Sequence, residues 1–299
     1  MQLYSYNSSL HKFKALHDET GGRLHDLSFR YYDCFCGEAG YRIVSTATRH
    51  KNPFTVVQCD RCGTLRINPY LSDASIELYY KEVYGPIKRG DMLPQQLFAN
   101  QAKSSAELCD DLKVHLPPGA KILDYGSGAG GRMEQFLKAG YEVYLQDYDR
   151  KYLEYGLAQG MKEFSEDVKY DAIVISHVLE HINHPLAFVE KLAGYVNENG
   201  AIYIEVPMIE NNKTLLADLQ LAHKFYFTEA SLGYLAALAG YKVVARFHNG
   251  LLIRKGAVDA SSIPASAKRK SDAELKKAWL ETQAISLRML IKRLWPGRR

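Results

Sequence analysis

Residues 121 to 147 carry a pattern of apolar and polar positions around which the rest of the chain can be ordered. An apolar run is followed by a cluster of glycines, then by a segment with helical spacing, and then by a second apolar run that ends at an acid. This order predicts a strand, a glycine-rich loop, a helix and a second strand. Gly126, Gly128 and Gly130 alternate at the end of the first strand, so the backbone can turn sharply and approach a ligand with no side chain between them.

The segments that follow predict alternating strands and helices, which indicate an α/β fold. Strands are expected at residues 142–146, 162–164, 171–176 and 201–206, with helices at 133–139, 185–196 and 229–239. Asn199-Gly200 is expected to form the turn before the strand at 201–206. Residues 241–247 and 251–253 alternate about Asn249-Gly250, which predicts an antiparallel hairpin. On the N-terminal side, helices are predicted at 72–84 and 95–115.

The last part of the chain predicts a linker and an amphipathic helix. Residues 256–270 are small and polar, and Ser271 and Glu274 have the spacing of a capping box. One stripe of the helix holds Leu280, Ala284, Leu287, Ile291 and Leu294, and the other faces hold Lys276, Lys277, Arg288, Lys292 and Arg293. We expect this helix to pack on the body or on a second subunit. The alternative is contact with an anionic membrane surface, aided by Trp295.

Charge is distributed unevenly along the 299 residues. Residues 268–299 hold 10 Lys/Arg against 3 Asp/Glu, which leaves 28 against 31 elsewhere. The slightly acidic body argues against nucleic-acid binding. Neither a bilayer-spanning apolar run nor a signal peptide is found, so we expect a cytoplasmic protein, with membrane contact limited to the last helix.

Four cysteines stand close together as two pairs. Cys34 and Cys36 form the first pair, Cys59 and Cys62 the second, and a glycine follows each pair. Two such knuckles are typical of a tetrahedral structural zinc site. The single residue between the first two cysteines departs from the usual spacing, and four reduced structural cysteines are the alternative. The fifth cysteine, Cys109, is expected to be a small buried side chain.

Asp147 is about twenty residues past the glycine loop, where an acid at the tip of the second strand can accept hydrogen bonds from both ribose hydroxyls. Taken together, LDYGSGAG, this acid, DAIVISHVLEHI and AIYIEVP resemble the class I S-adenosylmethionine-dependent methyltransferases. The resemblance covers residues 105 to 255. It implies a Rossmann-like sheet with a terminal antiparallel hairpin, preceded here by a small zinc-ribbon-like module, and it implies S-adenosylmethionine and structural Zn²⁺ as cofactors.

The segment CGTLRINPYLSDASIELYYKEVYG resembles the cysteine-rich module that precedes methyltransferase domains acting on sugars. The resemblance implies a nucleotide-linked sugar or a glycan end as acceptor. The sugar C-methyltransferases usually carry a further C-terminal domain, and none follows here, which favours O-methylation. The expected domains are an arm (1–30), a zinc-binding module (31–70), a helical linker (71–116), the methyltransferase domain (117–255), and a linker with the basic helix (256–299).

Two sets of site residues follow. We assign cofactor binding to the loop, the flanking acids and the loop after the fourth strand: Asp124, Gly126, Ser127, Gly128, Gly130, Asp147, Tyr148 and His177. A sugar hydroxyl must lose its proton, and a histidine at the mouth of the sheet is a suitable base. The family resemblance favours His181 and His223, with His177 third. Glu205 is the carboxylate alternative, and Glu180 can orient a histidine.

Two other functions stay open from the sequence alone. One is methylation of a small metabolite that is not a sugar. The other is a zinc-ribbon interaction protein with a degenerate methyltransferase body, against which the intact glycine loop and Asp147 argue.

Overall fold

The computed structural model describes residues 27–46, 54–80, 91–211 and 219–294. The predicted arm before residue 27, the predicted helix beyond residue 80 and Trp295 lie outside the described residues, as do the side chains beyond Leu280. Among the described residues, no helix combines the length and the apolar character that crossing a membrane requires.

Strands and helices follow one another along the chain. The strands are β1 (Phe29–Arg30), β2 (Tyr41–Ser45), β3 (Val56–Cys59), β4 (Leu65–Ile67), β5 (Tyr70–Leu71), β6 (Lys121–Tyr125), β7 (Glu142–Gln146), β8 (Lys162–Glu163), β9 (Tyr170–Ser176), β10 (Val196–Glu205), β11 (Phe225–Tyr226), β12 (Tyr241–Arg246) and β13 (Gly250–Lys255). The α-helices are α1 (Asp73–Tyr79), α2 (Pro94–Ala102), α3 (Ser105–Lys113), α4 (Glu134–Lys138), α5 (Arg150–Ala158), α6 (Pro185–Ala193), α7 (Glu229–Leu238) and α8 (Ile263–Leu294). Short 3₁₀ turns lie at Gly131–Met133, Leu179–His181 and Ile209–Asn211.

The chain divides into two compact units. The first, here called the cysteine unit, gathers Met1–Tyr79, Met208–Ser231 and Ser261–Arg299. The second, called the glycine-loop unit, consists of Tyr80–Pro207 and Leu232–Ala260.

The glycine-loop unit is built on a seven-stranded sheet with the order β12-β13-β10-β9-β6-β7-β8. The strands from β10 to β8 are parallel, and β13 is antiparallel to both of its neighbours. The central strands are apolar and fully buried, as expected for a sheet with helices on both faces. This confirms the predicted Rossmann-like fold with a terminal antiparallel hairpin.

The cysteine unit contains a four-stranded antiparallel sheet with the order β11-β4-β3-β2. Cys59 pairs with Tyr41 on β2, and Arg66 on β4 pairs with Phe225 on β11. The last strand therefore comes from far along the chain. The sequence did not predict β11, because the residues around Phe225 show no alternation that would mark a strand.

The first half of α8 packs within the cysteine unit through a buried stripe of Ala267, Ser271, Leu275 and Ala278. The predicted linker to residue 270 is wrong, because α8 already begins at Ile263, with Pro264 in its first turn where a proline is tolerated. Ser271 is consequently not a helix cap. The predicted stripe is also shifted, since Leu280 is exposed.

Two other elements differ from the prediction. The helix expected at 95–115 is broken into α2 and α3, because the chain turns at Ser104, whose hydroxyl donates to the Gln101 carbonyl at 3.3 Å. Asn199-Gly200 is not a turn but lies inside β10, where the strand register shifts. A side chain at Gly200 would lie 3.0 Å from the Tyr170 and Asp171 carbonyls, so the glycine permits close strand approach.

Candidate active site

The glycine loop follows β6 directly and has the backbone conformation that its sequence predicts. Gly126, Gly128 and Gly130 have φ angles of 83°, 56° and 79°, in the left-handed region that favours glycine. A side chain at Gly126 would collide with Val178, so the loop lies close against the segment that follows β9. The next residues form the 3₁₀ turn that leads into α4.

Asp147, at the end of β7, is hydrogen-bonded to the glycine loop. Its Oδ2 accepts the Gly128 N–H at 2.7 Å, and its Oδ1 accepts the Asp149 N–H at 2.9 Å. The structure thus brings together the loop and the acid that the sequence singled out. The neighbouring Tyr148 is 62% exposed.

Asp124 and Ser127 are buried beside the same loop. Burial raises the pKa of Asp124 to about 7, and the charges of Asp147 and Glu205 act in the same direction, while Arg132 opposes them. The Asp124 carboxyl group can therefore gain or lose its proton near neutral pH, and the charges around it decide which form is favoured.

Arg132 and Glu205 form a partly buried ion pair that the sequence did not predict. Arg132 Nη2 donates to Glu205 Oε2, and its Nη1 donates to Ser104 Oγ at 3.4 Å. Ser176, at the end of β9, donates from its hydroxyl to Glu205 Oε2 at 2.9 Å. The position of Arg132, directly after the glycine cluster, is the one sequence signal that pointed to it.

His177 follows β9 and lies between two carboxylates. It has a φ of 55°, which is uncommon for a residue other than glycine. Its Nδ1 lies 3.4 Å from Glu180 Oε1, and its Nε2 lies 3.8 Å from Glu205 Oε1. Burial lowers the pKa of His177, but the hydrogen bond and charge of Glu180, together with the charge of Glu205, outweigh burial and raise it above its ordinary value. The side chain is 52% exposed, so an acceptor can reach it.

His181, like His177, lies near the carboxylate of Glu180. Its Nε2 lies 3.8 Å from Glu180 Oε1, and the ring meets Tyr80 edge-on at 5.5 Å between centroids. Glu180 is buried, so it is fixed in place beside both histidines. His181 is largely enclosed, whereas His177 is open to solvent.

His223, the other histidine that the family resemblance favours, belongs to the cysteine unit. Its Nε2 lies 2.7 Å from Gln220 Nε2, and its ring lies 6.2 Å from that of Tyr226. The side chain is buried. These contacts fix its orientation within its own unit.

The four cysteines of the two pairs meet in the cysteine unit. Cys34 Sγ lies 3.6 Å from Cys62 Sγ, and Cys36 Sγ lies 3.6 Å from Cys59 Sγ. All four sulfur atoms lie within 4.8 Å of one another and are buried. Thiolates about 2.3 Å from a tetrahedral zinc ion lie about 3.8 Å apart, so the cluster fits this metal. Gly37 and Gly63 have left-handed φ angles of 79° and 74°, which lets the chain turn tightly after each pair, including the shorter first one.

Residues 98–246 match a family described as "Methyltransferase domain". The chain carries a methyltransferase domain. The match spans the glycine loop, Asp147 and the segment with His177 and His181. The protein is an S-adenosylmethionine-dependent methyltransferase with a Rossmann-like sheet. A comparison with curated proteins gave no match.

Three solved structures that are similar to this chain are distant from it in sequence. A 1,6-didemethyltoxoflavin-N1-methyltransferase of Burkholderia thailandensis, bound to 1,6-didemethyltoxoflavin and S-adenosylhomocysteine, is 17% identical, with a TM-score of 0.47 over 68% of this chain and 96% of that chain. A magnesium protoporphyrin IX methyltransferase of Synechocystis PCC 6803, bound to S-adenosylhomocysteine, is 15% identical, with a TM-score of 0.43 over 62% and 97%. An S-adenosylmethionine-dependent methyltransferase of Aquifex aeolicus is 20% identical, with a TM-score of 0.42 over 54% and 97%. The two substrates named here are unlike each other, so these neighbours do not indicate an acceptor for the methyltransferase.

Proposed function

We propose that the protein transfers the methyl group of S-adenosylmethionine to a hydroxyl of a sugar, either a nucleotide-linked monosaccharide or the end of a glycan. The sugar assignment is supported by the cysteine-rich segment, which resembles the module of sugar-modifying methyltransferases. The assignment of an oxygen as the methylated atom is supported by a histidine beside carboxylates at the carboxyl end of the sheet.

For the cofactor, we propose a site at the glycine loop. Asp147 accepts ribose hydroxyls, Tyr148 lies along the adenine, and Asp124, Ser127, Gly126, Gly128, Gly130 and the backbone of His177 line the remainder. Asp147 still has lone pairs beyond its two backbone contacts, so it can accept further hydrogen bonds. S-adenosylmethionine supplies an electrophilic methyl group, and the protein supplies alignment and a proton acceptor.

The proton acceptor that we propose first is His177. The arrangement that carries this proposal is the imidazole held between Glu180 and Glu205 while half of it faces solvent. As the acceptor oxygen bonds to the methyl carbon and the carbon–sulfur bond breaks, the hydroxyl proton moves to the imidazole. The two carboxylates then stabilise the imidazolium that forms. This reverses the sequence-based order, in which His181 and His223 came first.

Glu205 is a weaker candidate for the base, because Arg132 and Ser176 both donate to it. Both donors bind the same oxygen, Oε2, so that oxygen has less capacity to accept a further hydrogen bond from the acceptor. We assign Glu205 the role of orienting His177. For the four cysteines we propose a structural zinc site, supported by the spacing of their sulfur atoms.

A screen of acceptors tests the proposed function. The full chain is incubated with S-adenosylmethionine that carries a labelled methyl group, together with nucleotide sugars, short glycans and, as the comparison set, non-sugar metabolites with hydroxyl or amino groups. We expect label in a sugar, and mass spectrometry with NMR of the product identifies the methylated atom. Label confined to the non-sugar set would overturn the sugar assignment, and label on carbon would overturn O-methylation.

The Asp147→Asn variant is the matched control for this screen. It keeps the size of the side chain but removes its charge, and we expect the affinity for S-adenosylhomocysteine to fall by one to two powers of ten, because a hydrogen bond to a charged group contributes roughly 1.5 to 3 kcal/mol. Calorimetry measures this change directly. Unchanged affinity would place the cofactor elsewhere.

A further inference from the structure

The glycine loop is held by a side chain that lies outside the predicted cofactor site. Gln101, in the last turn of α2, directs both ends of its amide at this loop. Its Nε2 donates to the Ser127 carbonyl at 2.9 Å, and its Oε1 accepts the N–H groups of Ala129 and Gly131 at 3.2 and 3.3 Å. One side chain therefore binds three backbone groups of the loop.

The loop is thus fixed from two sides. Asp147 accepts the Gly128 N–H from the end of β7, while Gln101 binds its neighbours from α2. The approach of α2 is close, because a side chain at Gly131 would collide with the Phe98 carbonyl, and one at Gly128 would lie 2.9 Å from Gln101 Nε2. The glycines are therefore needed for the contact with α2 as well as for the turn.

The amide of Gln101 suits this task because it offers a donor and an acceptor at once. A loop of glycines is otherwise flexible, and ordering it when a ligand binds costs conformational entropy. A loop that is already held in place binds its ligand with a smaller cost.

We infer that Gln101 is a positioning residue for cofactor binding, which holds the glycine loop in the conformation that S-adenosylmethionine requires. The inference rests on this loop being the cofactor site. Gln101 acts through the backbone of the loop and is not assigned a contact with the cofactor.

Other contacts hold α2 in place, so Gln101 can be tested without detaching the helix. The Phe98 ring meets Tyr155 edge-on at 5.6 Å, and the Tyr152 hydroxyl donates to the Met92 carbonyl at 2.9 Å. A methionine at position 101 keeps the length of the side chain and the helix propensity, but it removes every hydrogen bond to the loop.

The experiment compares Gln101→Met with the parent protein and with Gln95→Met, a matched change at an exposed position of the same helix. Calorimetry with S-adenosylhomocysteine measures affinity, and hydrogen exchange without ligand reports on the amides of Ala129 and Gly131. We expect Gln101→Met to bind about tenfold more weakly, as the loss of two or three neutral hydrogen bonds implies. We also expect faster exchange confined to the loop, while Gln95→Met behaves like the parent.

A second variant guards against a folding defect. Gln101→Glu keeps the two acceptor contacts but loses the donor to the Ser127 carbonyl, so we expect its affinity to be weaker than that of the parent. At acidic pH the carboxyl group regains a proton to donate, and there we expect its affinity to be stronger than that of Gln101→Met. Parent-like affinity and loop exchange in folded Gln101→Met, or in folded Gln101→Glu at neutral pH, would overturn the inference. No binding by the parent protein would instead overturn the assignment of the loop as the cofactor site, and this inference with it.

Discussion

At the scale of single residues, the environment of His177 decides how the proposed reaction depends on pH. A base works in its neutral form, so turnover should rise with pH through the pKa of His177, which the carboxylates hold above its ordinary value. Replacing Glu180 by glutamine removes one of these charges and keeps the shape. We expect the acidic limb of the pH profile of kcat/KM to move to lower pH in Glu180→Gln.

The profile is measured with the acceptor found in the screen, and Glu190→Gln, at an exposed position of α6, is the control.

His177→Ala should lower turnover by roughly two to four powers of ten, the usual contribution of a general base, and should leave cofactor affinity nearly unchanged. An unshifted limb in Glu180→Gln, or a parent-like rate in His177→Ala, would direct attention to His181 or His223.

Lys224 gives a second prediction at this scale. The side chain is fully buried, and its Nζ lies 3.3 Å from the centroid of the Tyr32 ring. Burial lowers its pKa to about 7, with Arg66 and Arg30 acting in the same direction and Asp73 opposing them. Between this value and the ordinary pKa of lysine, the unfolded chain holds a proton that the folded protein lacks, so the folded state gains stability as pH rises.

We therefore expect the free energy of unfolding of the parent to increase relative to Lys224→Met between pH 7 and 9, by at most about 1.4 kcal/mol per pH unit. Denaturant unfolding at fixed zinc concentration measures the difference. Lys276→Met, at an exposed position of α8, serves as the control. A pH-independent difference between parent and Lys224→Met would contradict the shifted pKa.

At the scale of elements, α8 is hydrogen-bonded to residues that flank the second cysteine pair. Ser271 Oγ donates to the Gly63 carbonyl at 2.6 Å and accepts from Gln58 Nε2 at 2.9 Å. Asp272 Oδ1 lies 2.6 Å from Arg42 Nη2. A side chain at Gly63 would lie 2.6 Å from the Lys268 backbone, so the helix is pressed against the turn that follows Cys62.

Two truncations test what this contact contributes. Ending the chain after Lys255 removes all of α8, and we expect it to destabilise the cysteine unit and weaken metal retention. Ending the chain after Leu280 keeps the buried stripe from Ala267 to Ala278, so the unit should stay folded. Thermal unfolding followed by circular dichroism, with zinc analysis, distinguishes them. Equal stability of the two truncated proteins would show that the contact is dispensable.

At the scale of the whole molecule, the two units should respond to different ligands. One zinc ion per chain is expected by elemental analysis, and a chelator should lower the unfolding temperature of the cysteine unit, because so small a sheet has little core of its own. S-adenosylhomocysteine should raise the unfolding temperature of the glycine-loop unit. Stoichiometric zinc that survives the substitution of both Cys59 and Cys62 by serine would contradict the four-cysteine site.

Local pattern explains why much of the glycine-loop unit was predictable. Residues 121 to 147 form one continuous strand, loop, helix and strand, so the sequence predicts both their structure and the proximity of the loop and Asp147. Gln101 and Ser127 are 26 residues apart and share no pattern, and their contact depends on how α2 packs. Phe225 and Arg66 pair across an even longer separation. The prediction of a turn at Asn199-Gly200 was wrong because the Asn-Gly pair is typical of turns, while a glycine is also needed where two strands approach closely at a register shift.

The long separation between the parts of the cysteine unit has a consequence during protein synthesis. Arg42 and Asp272 are 230 residues apart, so at roughly 5 to 20 residues per second a ribosome takes about 10 to 50 s to make the chain between them. The cysteines have been synthesised long before the helix that covers their turn. During that interval the turn after Cys62 lacks its contact with α8, so we expect the supply of zinc at the ribosome to influence how much protein is assembled around the proposed zinc site.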